Sequence, residues 1–174
     1  MLDLETLGTK PGSVILAIGA TLFSVEKGII DSFYVRVDPK SCVSLGLKMD
    51  VDTVMWWLNQ DDAARKEISK PGGDHIARAL GKFSEWLRKH PEYDPESGLE
   101  IWGNGASFDN VLLADAYDLA ELIRPWKFWN DRCYRTVKAM RPDVPMPRTG
   151  THHNALDDAK SQALHLIQIL TSGI

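Results

Sequence analysis

The residues of this chain best suited to chemistry stand near its two ends: Asp3 and Glu5 at one, His153 and Asp158 at the other. An acid-x-acid pair on a strand puts both carboxylates on one face, because strand side chains alternate with a period of two. A histidine followed five residues on by an aspartate supplies a candidate base and a further oxygen ligand. Carboxylates gathered from distant parts of a chain hold hard divalent cations such as Mg²⁺ or Mn²⁺. Two such ions about 3.5–4 Å apart can clamp the attacking and leaving oxygens of a phosphodiester. Each cluster also has a plainer reading on its own. Asp3 and Glu5 could be a solvated strand edge, and Asp157 and Asp158 could simply favour the positive end of a helix.

A third cluster runs from Gly103 through Asn104, Phe108 and Asp109. It follows an expected strand and precedes an expected helix, where α/β sheets present ligands. It is neither a dinucleotide fingerprint, since Phe108 stands in place of the third glycine, nor a phosphate loop, since no Gly-Lys-Ser/Thr follows. Asp109 could equally be a helix N-cap. His152 and His153 are adjacent and expected to point apart, which argues against a zinc pair.

The elements that must position these groups follow from hydrophobic pattern. Residues 14–23 and 29–37 predict two strands joined by a turn at 24–28 and ended by Asp38-Pro39. Residues 50–69 predict a helix with Asp52-Thr53 at its N-cap, and Pro71-Gly72-Gly73 breaks the pattern. An amphipathic helix capped by Asp74 runs to His90, with Ile76, Leu80, Phe83 and Leu87 on its buried stripe. Then come a short strand at 99–102, a helix at 108–123, an edge strand at 125–129, a helix at 131–140, a proline-rich loop at 141–147 and a last helix at 153–170. This order predicts an α/β fold, a mixed sheet with helices on its faces. Asp3 has only Met1 and Leu2 before it, so the first strand either continues past Glu5 or begins upstream.

Bulk properties narrow the classes. The length of 174 residues predicts one domain, and 44% hydrophobic with 25% charged residues is an ordinary globular composition. A formal net charge of -4 argues against a general polyanion-coating protein, yet permits a local basic groove. Cys42 and Cys133, without a Cys-x-x-Cys spacing, read as reduced thiols. No apolar run approaches the roughly 20 residues of a membrane span, so the expected address is the cytoplasm.

Asp3 and Glu5, then Asn104 to Phe108-Asp109, then His153, Ala155 and Asp158 together resemble the signature of the DEDDh 3′-5′ exonucleases of the ribonuclease H-like superfamily. The resemblance spans nearly the whole chain. Asp-Leu-Glu-Thr-Leu-Gly at the start, Trp56-Trp57-Leu58, and Asp131-Arg132 followed by Arg135-Thr136 look like the phage DexA and RNase AS-like exoribonuclease branch, which suggests a phage or bacterial origin. The resemblance implies a ribonuclease H-like sheet and two Mg²⁺ or Mn²⁺ ions held by Asp3, Glu5, Asp109 and Asp158. Asp3 would bridge both ions. His153 would help one generate the attacking hydroxide, and the other would stabilise the leaving 3′ oxygen. The implied substrate is a single-stranded 3′ end, RNA first and DNA as close rival, and a homodimer is also implied. Other readings are a phosphodiesterase for short oligonucleotides and a non-catalytic nucleic-acid-binding module.

Expected substrate contacts are Thr6 and Leu7 in the turn after Glu5, Asn104 and Phe108 beside Asp109, and Arg135. Arg132, Arg135 and Lys138 would form a basic helix stripe. Of Trp56 and Trp57 only one can face the core. Trp57 is carried as the substrate contact, and a base stacked on an indole is worth about 1–3 kcal/mol.

Overall fold

The computed structural model describes residues 1–172. Its strands are β1 (Leu2–Thr6), β2 (Ile15–Ser24), β3 (Gly28–Arg36), β4 (Ile101–Gly103) and β5 (Asp131–Cys133). Its helices are α1 (Pro39–Leu45), α2 (Val51–Leu58), α3 (Asp62–Ser69), α4 (Ile76–Arg88), α5 (Asp109–Leu119), α6 (Tyr134–Met140) and α7 (Ala155–Thr171). The strands form one sheet in the order β3-β2-β1-β4-β5. β1, β2 and β3 pair antiparallel, while β4 and β5 continue in parallel from β1. This is the mixed α/β sheet that the pattern predicts, and β1 runs past Glu5 to Thr6 at its centre.

Alternation on β1 divides the molecule. Leu2 and Leu4 enter the main core with Leu80 and Phe83 of α4 and Leu112, Leu113 and Tyr117 of α5. Asp3 and Glu5 therefore face the other side of the sheet. There α7 packs across β2, β3 and β1, and its Ala159, Ala163 and Leu166 form a second cluster with Met1 and Tyr134.

Local chemistry moves several expected boundaries. Asp38-Pro39 does not merely end a strand: the Asp38 carboxylate accepts from the Lys40 N–H at 3.0 Å and starts α1, with proline at its first position. The helix expected over 50–69 is two, because Asp61 caps a new start at α3. Asp50, not Asp52-Thr53, caps α2. His75, not Asp74, caps α4, and Asp74 instead pairs with Lys82 at 2.5 Å. The edge strand lies at β5 rather than 125–129, where Trp126 is buried and donates to Asp131 Oδ1 at 3.0 Å. Arg132 consequently sits on β5 and pairs with Glu100 at 2.6 Å, so the basic stripe on α6 reduces to Arg135 and Lys138. Trp86 is buried, its N–H on Asp31 Oδ2 at 2.9 Å, whereas Trp102 is half-buried. Cys42 and Cys133 are both free thiols. Among the described residues no helix is long and apolar enough to cross a membrane.

One close approach sets the site. Gly19 of β2 is the register partner of Asp3, and a Cβ there would overlap the Ala155 carbonyl and the Leu156 nitrogen. Only a residue without a side chain lets the first turn of α7 lie against the sheet beside Asp3. Gly19→Ala is expected to destabilise the fold by roughly 1–3 kcal/mol, the usual range for overpacking. Urea unfolding measures it, and a midpoint equal to that of the wild type would show that α7 does not need this contact.

Candidate active site

Where β1, the β4–α5 loop and the start of α7 meet, a cleft of about 650 Å³ opens. Asp3, Glu5, Asn104, Phe108, His153 and Asp158 line it. One carboxylate oxygen each from Asp3, Glu5 and Asp158 lies within 4.8 Å of the others. Asp158 reaches this set because Asn154 caps α7, its side chain accepting from the Leu156 and Asp157 N–H groups at 3.1 and 3.2 Å. That places Asp158 in the helix's first turn, at the positive end of its dipole. His153 just before the cap has φ +62°, an uncommon conformation for a residue with a side chain. The turn aims its N–H at Asp158 Oδ2, 3.1 Å away.

Asp109 lies outside that set of mutually close oxygens. It is not an N-cap but the first residue of α5, and it is only 2% exposed. Its Oδ1 accepts from the Leu4 N–H at 3.1 Å and its Oδ2 from the Asn104 N–H at 3.0 Å. The same carboxylate therefore ties β1 to the loop after β4 while adding charge beside the other three acids.

The electrostatics are unfavourable by construction. Burial pushes the Asp3 carboxyl well above the usual carboxylate range, and the charges of Asp109, Glu5 and Asp158 add to it. Burial, then Asp158 and Asp109, lift Glu5 to about 8. Burial lifts Asp109 to about 7 against its two N–H donors. Glu5 Oε1 and Gln162 Oε1 are buried without a hydrogen-bond partner. An all-oxygen donor set, mutual repulsion and an orphaned carboxylate oxygen fit a hard divalent cation. For His153, burial and the neighbouring His152 lower the pKa, which favours the neutral ring that a base requires.

The expected substrate contacts divide. Asn104, Phe108 and Thr6 line the cleft, although the Thr6 hydroxyl is engaged with Gly8 O at 2.7 Å. Leu7 is not among the lining residues and packs against the main core, because Asp50 N–H holds its carbonyl in the turn at 2.7 Å. Trp57 also lines the cleft but is only 3% exposed, with its indole N–H on Thr6 O at 2.8 Å. The exposed indole is Trp56, at 45%, set edge-on to His153 with ring centroids 5.0 Å apart. Arg135 faces an adjoining groove and donates to Asn104 O at 2.6 Å. His152 and His153 do not diverge: their rings lie 3.8 Å apart, because the left-handed backbone at His153 folds one toward the other. Two groups went unread in the sequence. Gln162 donates to Asp3 Oδ1 at 2.8 Å, and its four-residue spacing from Asp158 was a signal that both share a helix face. Arg148, which had no local signature, pairs with Asp158 Oδ1 at 2.7 Å. Lys138, expected in the basic stripe, lines the cleft.

Residues 1–170 match the model of the 3′-5′ exoribonuclease Rv2179c-like domain. An exodeoxyribonuclease of Enterobacteria phage T4 is 26% identical, over 78% of this chain and 68% of the phage protein. The nuclease domain of 3′hExo, a DEDDh family member solved with rAMP, superposes with a TM-score of 0.64 at 16% identity, covering 99% of this chain and 90% of that one. A 3′-exonuclease solved for its 3′-end-specific recognition of a histone mRNA stem-loop gives 0.65 at 14%, covering 99% and 80%. The sheet and its flanking helices are thus the DEDDh, ribonuclease H-like arrangement.

The raised carboxyls fix the sign of a pH dependence. With Glu5 near 8 and Asp109 near 7 in the fold, against ordinary values of 4.5 and 3.8, the folded chain binds more protons than the unfolded one between those values. Their contribution to stability is complete below the unfolded values and is lost as pH rises through about 7–8. A divalent cation favours the ionised acids and reverses the trend. Melting in EDTA from pH 5 to 8 is expected to show a falling midpoint, and the gain from added Mn²⁺ should grow over the same range. A Mn²⁺ gain that is flat or shrinks with pH would contradict the assignment of these acids to a cation.

Proposed function

The chain belongs to the 3′-5′ exoribonuclease Rv2179c-like domain family, and we propose that it removes nucleoside monophosphates from single-stranded RNA 3′ ends with two divalent cations, Mg²⁺ or Mn²⁺. That it is a 3′-5′ exonuclease of the DEDDh type follows from the family and the fold. The observation that carries the finer reading is the convergence of Asp3, Glu5 and Asp158 oxygens within 4.8 Å beneath His153. Asp3, Glu5 and Asp158 would hold the cations, with Asp109 adding its charge. Bound cations supply Lewis-acid stabilisation of the charge that builds on phosphate oxygens.

The chain's own groups do the rest. A ring nitrogen of His153, neutral near pH 7, takes a proton from the attacking water. The Asn154 cap and the bond from His153 N–H to Asp158 hold that residue in place. Gln162 fixes the orientation of Asp3 from one side. Phe108 and Asn104 bound the space for the terminal nucleotide, and Trp56 offers a face beside His153 for a base. A groove continuous with the cleft is lined by Arg135, Lys138 and Arg141, the last of which also pairs with Asp143 at 2.8 Å, and its basic side suits the phosphates of the strand behind its 3′ end. The exposed Ile123, Phe128 and Trp129 would give a homodimer an apolar surface.

RNA is favoured because the family is described as exoribonucleases and the two structural neighbours were solved with rAMP or recognise an mRNA stem-loop. The phage relative named an exodeoxyribonuclease supports DNA as the second reading.

Matched 5′-labelled single-stranded RNA and DNA, with Mg²⁺, Mn²⁺ or EDTA, test this on a sequencing gel. Stepwise shortening from the 3′ end, only with metal and faster on RNA, is expected. Faster loss of DNA would reverse the sugar preference, and action on dinucleotides alone would make it a short-oligonucleotide phosphodiesterase. Metal binding without turnover on any of these would leave a binding module. His153→Ala is expected to lower turnover by roughly 10²–10⁴-fold, the usual worth of a general base. Asp158→Asn should abolish turnover with an intact fold by circular dichroism. Undiminished turnover in either variant would remove that residue from the mechanism.

A further inference from the structure

We propose that Arg148 alternates between two anions, the Asp158 carboxylate and a phosphate of the bound strand. It thereby competes with the divalent cation for Asp158 and grips the substrate when displaced. The inference rests on the exonuclease reading of the same cleft.

Arg148 Nη1 lies 2.7 Å from Asp158 Oδ1, while Oδ2 of the same carboxylate takes the His153 N–H. Both oxygens of this candidate ligand are therefore engaged, one of them by a full positive charge. A divalent cation and a guanidinium on one carboxylate repel each other, so tight cation binding must move Arg148.

The loop allows the side chain to move but not its backbone. Pro147 fixes the approach. Past Arg148, the Thr149 N–H donates to Ser161 Oγ at 3.0 Å and the Thr151 N–H to Asp157 Oδ2 at 2.8 Å. Before it, Val144 O accepts from His165 Nε2 at 2.8 Å if that nitrogen carries the proton. Gly150, at φ +68°, lies so close to the Asp157 carboxylate that any side chain there would overlap it. The guanidinium is thus carried on a fixed base, 51% exposed, and lines the cleft. Its planar fork matches phosphate oxygens as well as it matches a carboxylate. The cleft in which it lies opens, through Asn104, Lys138 and Met146, into the groove of Arg135 and Arg141.

The two roles predict opposite effects of one substitution. Calorimetric titration with Mn²⁺ alone should show Arg148→Ala binding the ion at least about fivefold more tightly than the wild type, the low end of ordinary coupling between sites. Fluorescence anisotropy, with Mn²⁺ present and a single-stranded RNA whose 3′ linkages are slowly cleaved phosphorothioates, should show the same variant binding about tenfold more weakly, as for one lost charged hydrogen bond. Arg148→Lys should fall between wild type and Arg148→Ala in both. Circular dichroism checks the fold, and Arg148→Gln replaces any variant that fails it. Unchanged or weaker Mn²⁺ binding would overturn the competition and make Arg148 a fixed support of Asp158. Unchanged oligonucleotide binding would overturn the phosphate contact. Neither assay requires turnover, so a wild type that cleaves nothing sinks the exonuclease reading while these titrations still judge Arg148.

Discussion

The site exists because a helix lies flush against a sheet at a single glycine. Gly19 stands opposite Asp3 in the β1–β2 ladder, and the Ala155 peptide occupies the space a side chain would fill. From that contact α7 needs only three more residues to carry Asp158 over β1, and one further turn to set Gln162 on Asp3. Strand alternation alone puts Asp3 and Glu5 on this face. The glycine decides how near the third oxygen comes, because helix and sheet otherwise pack at a distance set by their side chains. Buried Ala155, Ala159 and Ala163 continue the close fit along α7.

Proximity has an electrostatic cost that the protein only partly offsets. Asp109 is held by two backbone N–H groups, Asp158 by one N–H and Arg148, and Asp3 by Gln162, but Glu5 Oε1 has no partner. A core selected for stability alone would not gather four carboxylates with so few donors, since buried like charges raise one another's pKa and weaken the fold near neutral pH. Strain at His153 runs in the same direction, because a left-handed residue costs of order 1–3 kcal/mol unless its surroundings enforce it. Both features become intelligible when a cation and a substrate phosphate complete the site.

What was legible in the sequence followed from short-range rules. Period-two alternation placed Asp3 and Glu5 together, the apolar run 14–23 gave the strand beside them, and the four acids with His153 were named from spacing and resemblance. The misses share a cause: they depend on which partner a group finds in three dimensions. Asp38, Asp50 and Asp61 each start a helix by capping, and competing acids one or two residues away made Asp52 look equivalent to Asp50. Trp57 and Trp56 are neighbours on one helix, and burial followed the indole that could reach Thr6 O. Leu7 looked exposed in a turn but found the main core. Arg148, in an irregular loop, had no periodicity to expose it, and its relevance rests entirely on a 2.7 Å contact.

The net charge of -4 is compatible with a polyanionic substrate once charge is treated locally. Two grooves adjoin the cleft. One, bounded by Lys10, Lys48, Asp50, Asp52 and Asp115, carries more acids than bases, and Asp115 Oδ2 within it is buried without a partner. The other is lined by Arg135, Lys138 and Arg141, with only Asp143, paired to Arg141 at 2.8 Å, beside it. At physiological salt, charges beyond about 8 Å are largely screened, so a strand responds to the groove it touches and not to the chain's total. The acids responsible for much of the negative balance lie in the cleft itself, where cations would neutralise them. A phosphate chain at this cleft would meet one basic wall and one acidic wall, an asymmetry that would favour its approach from the side of Arg135 and Lys138.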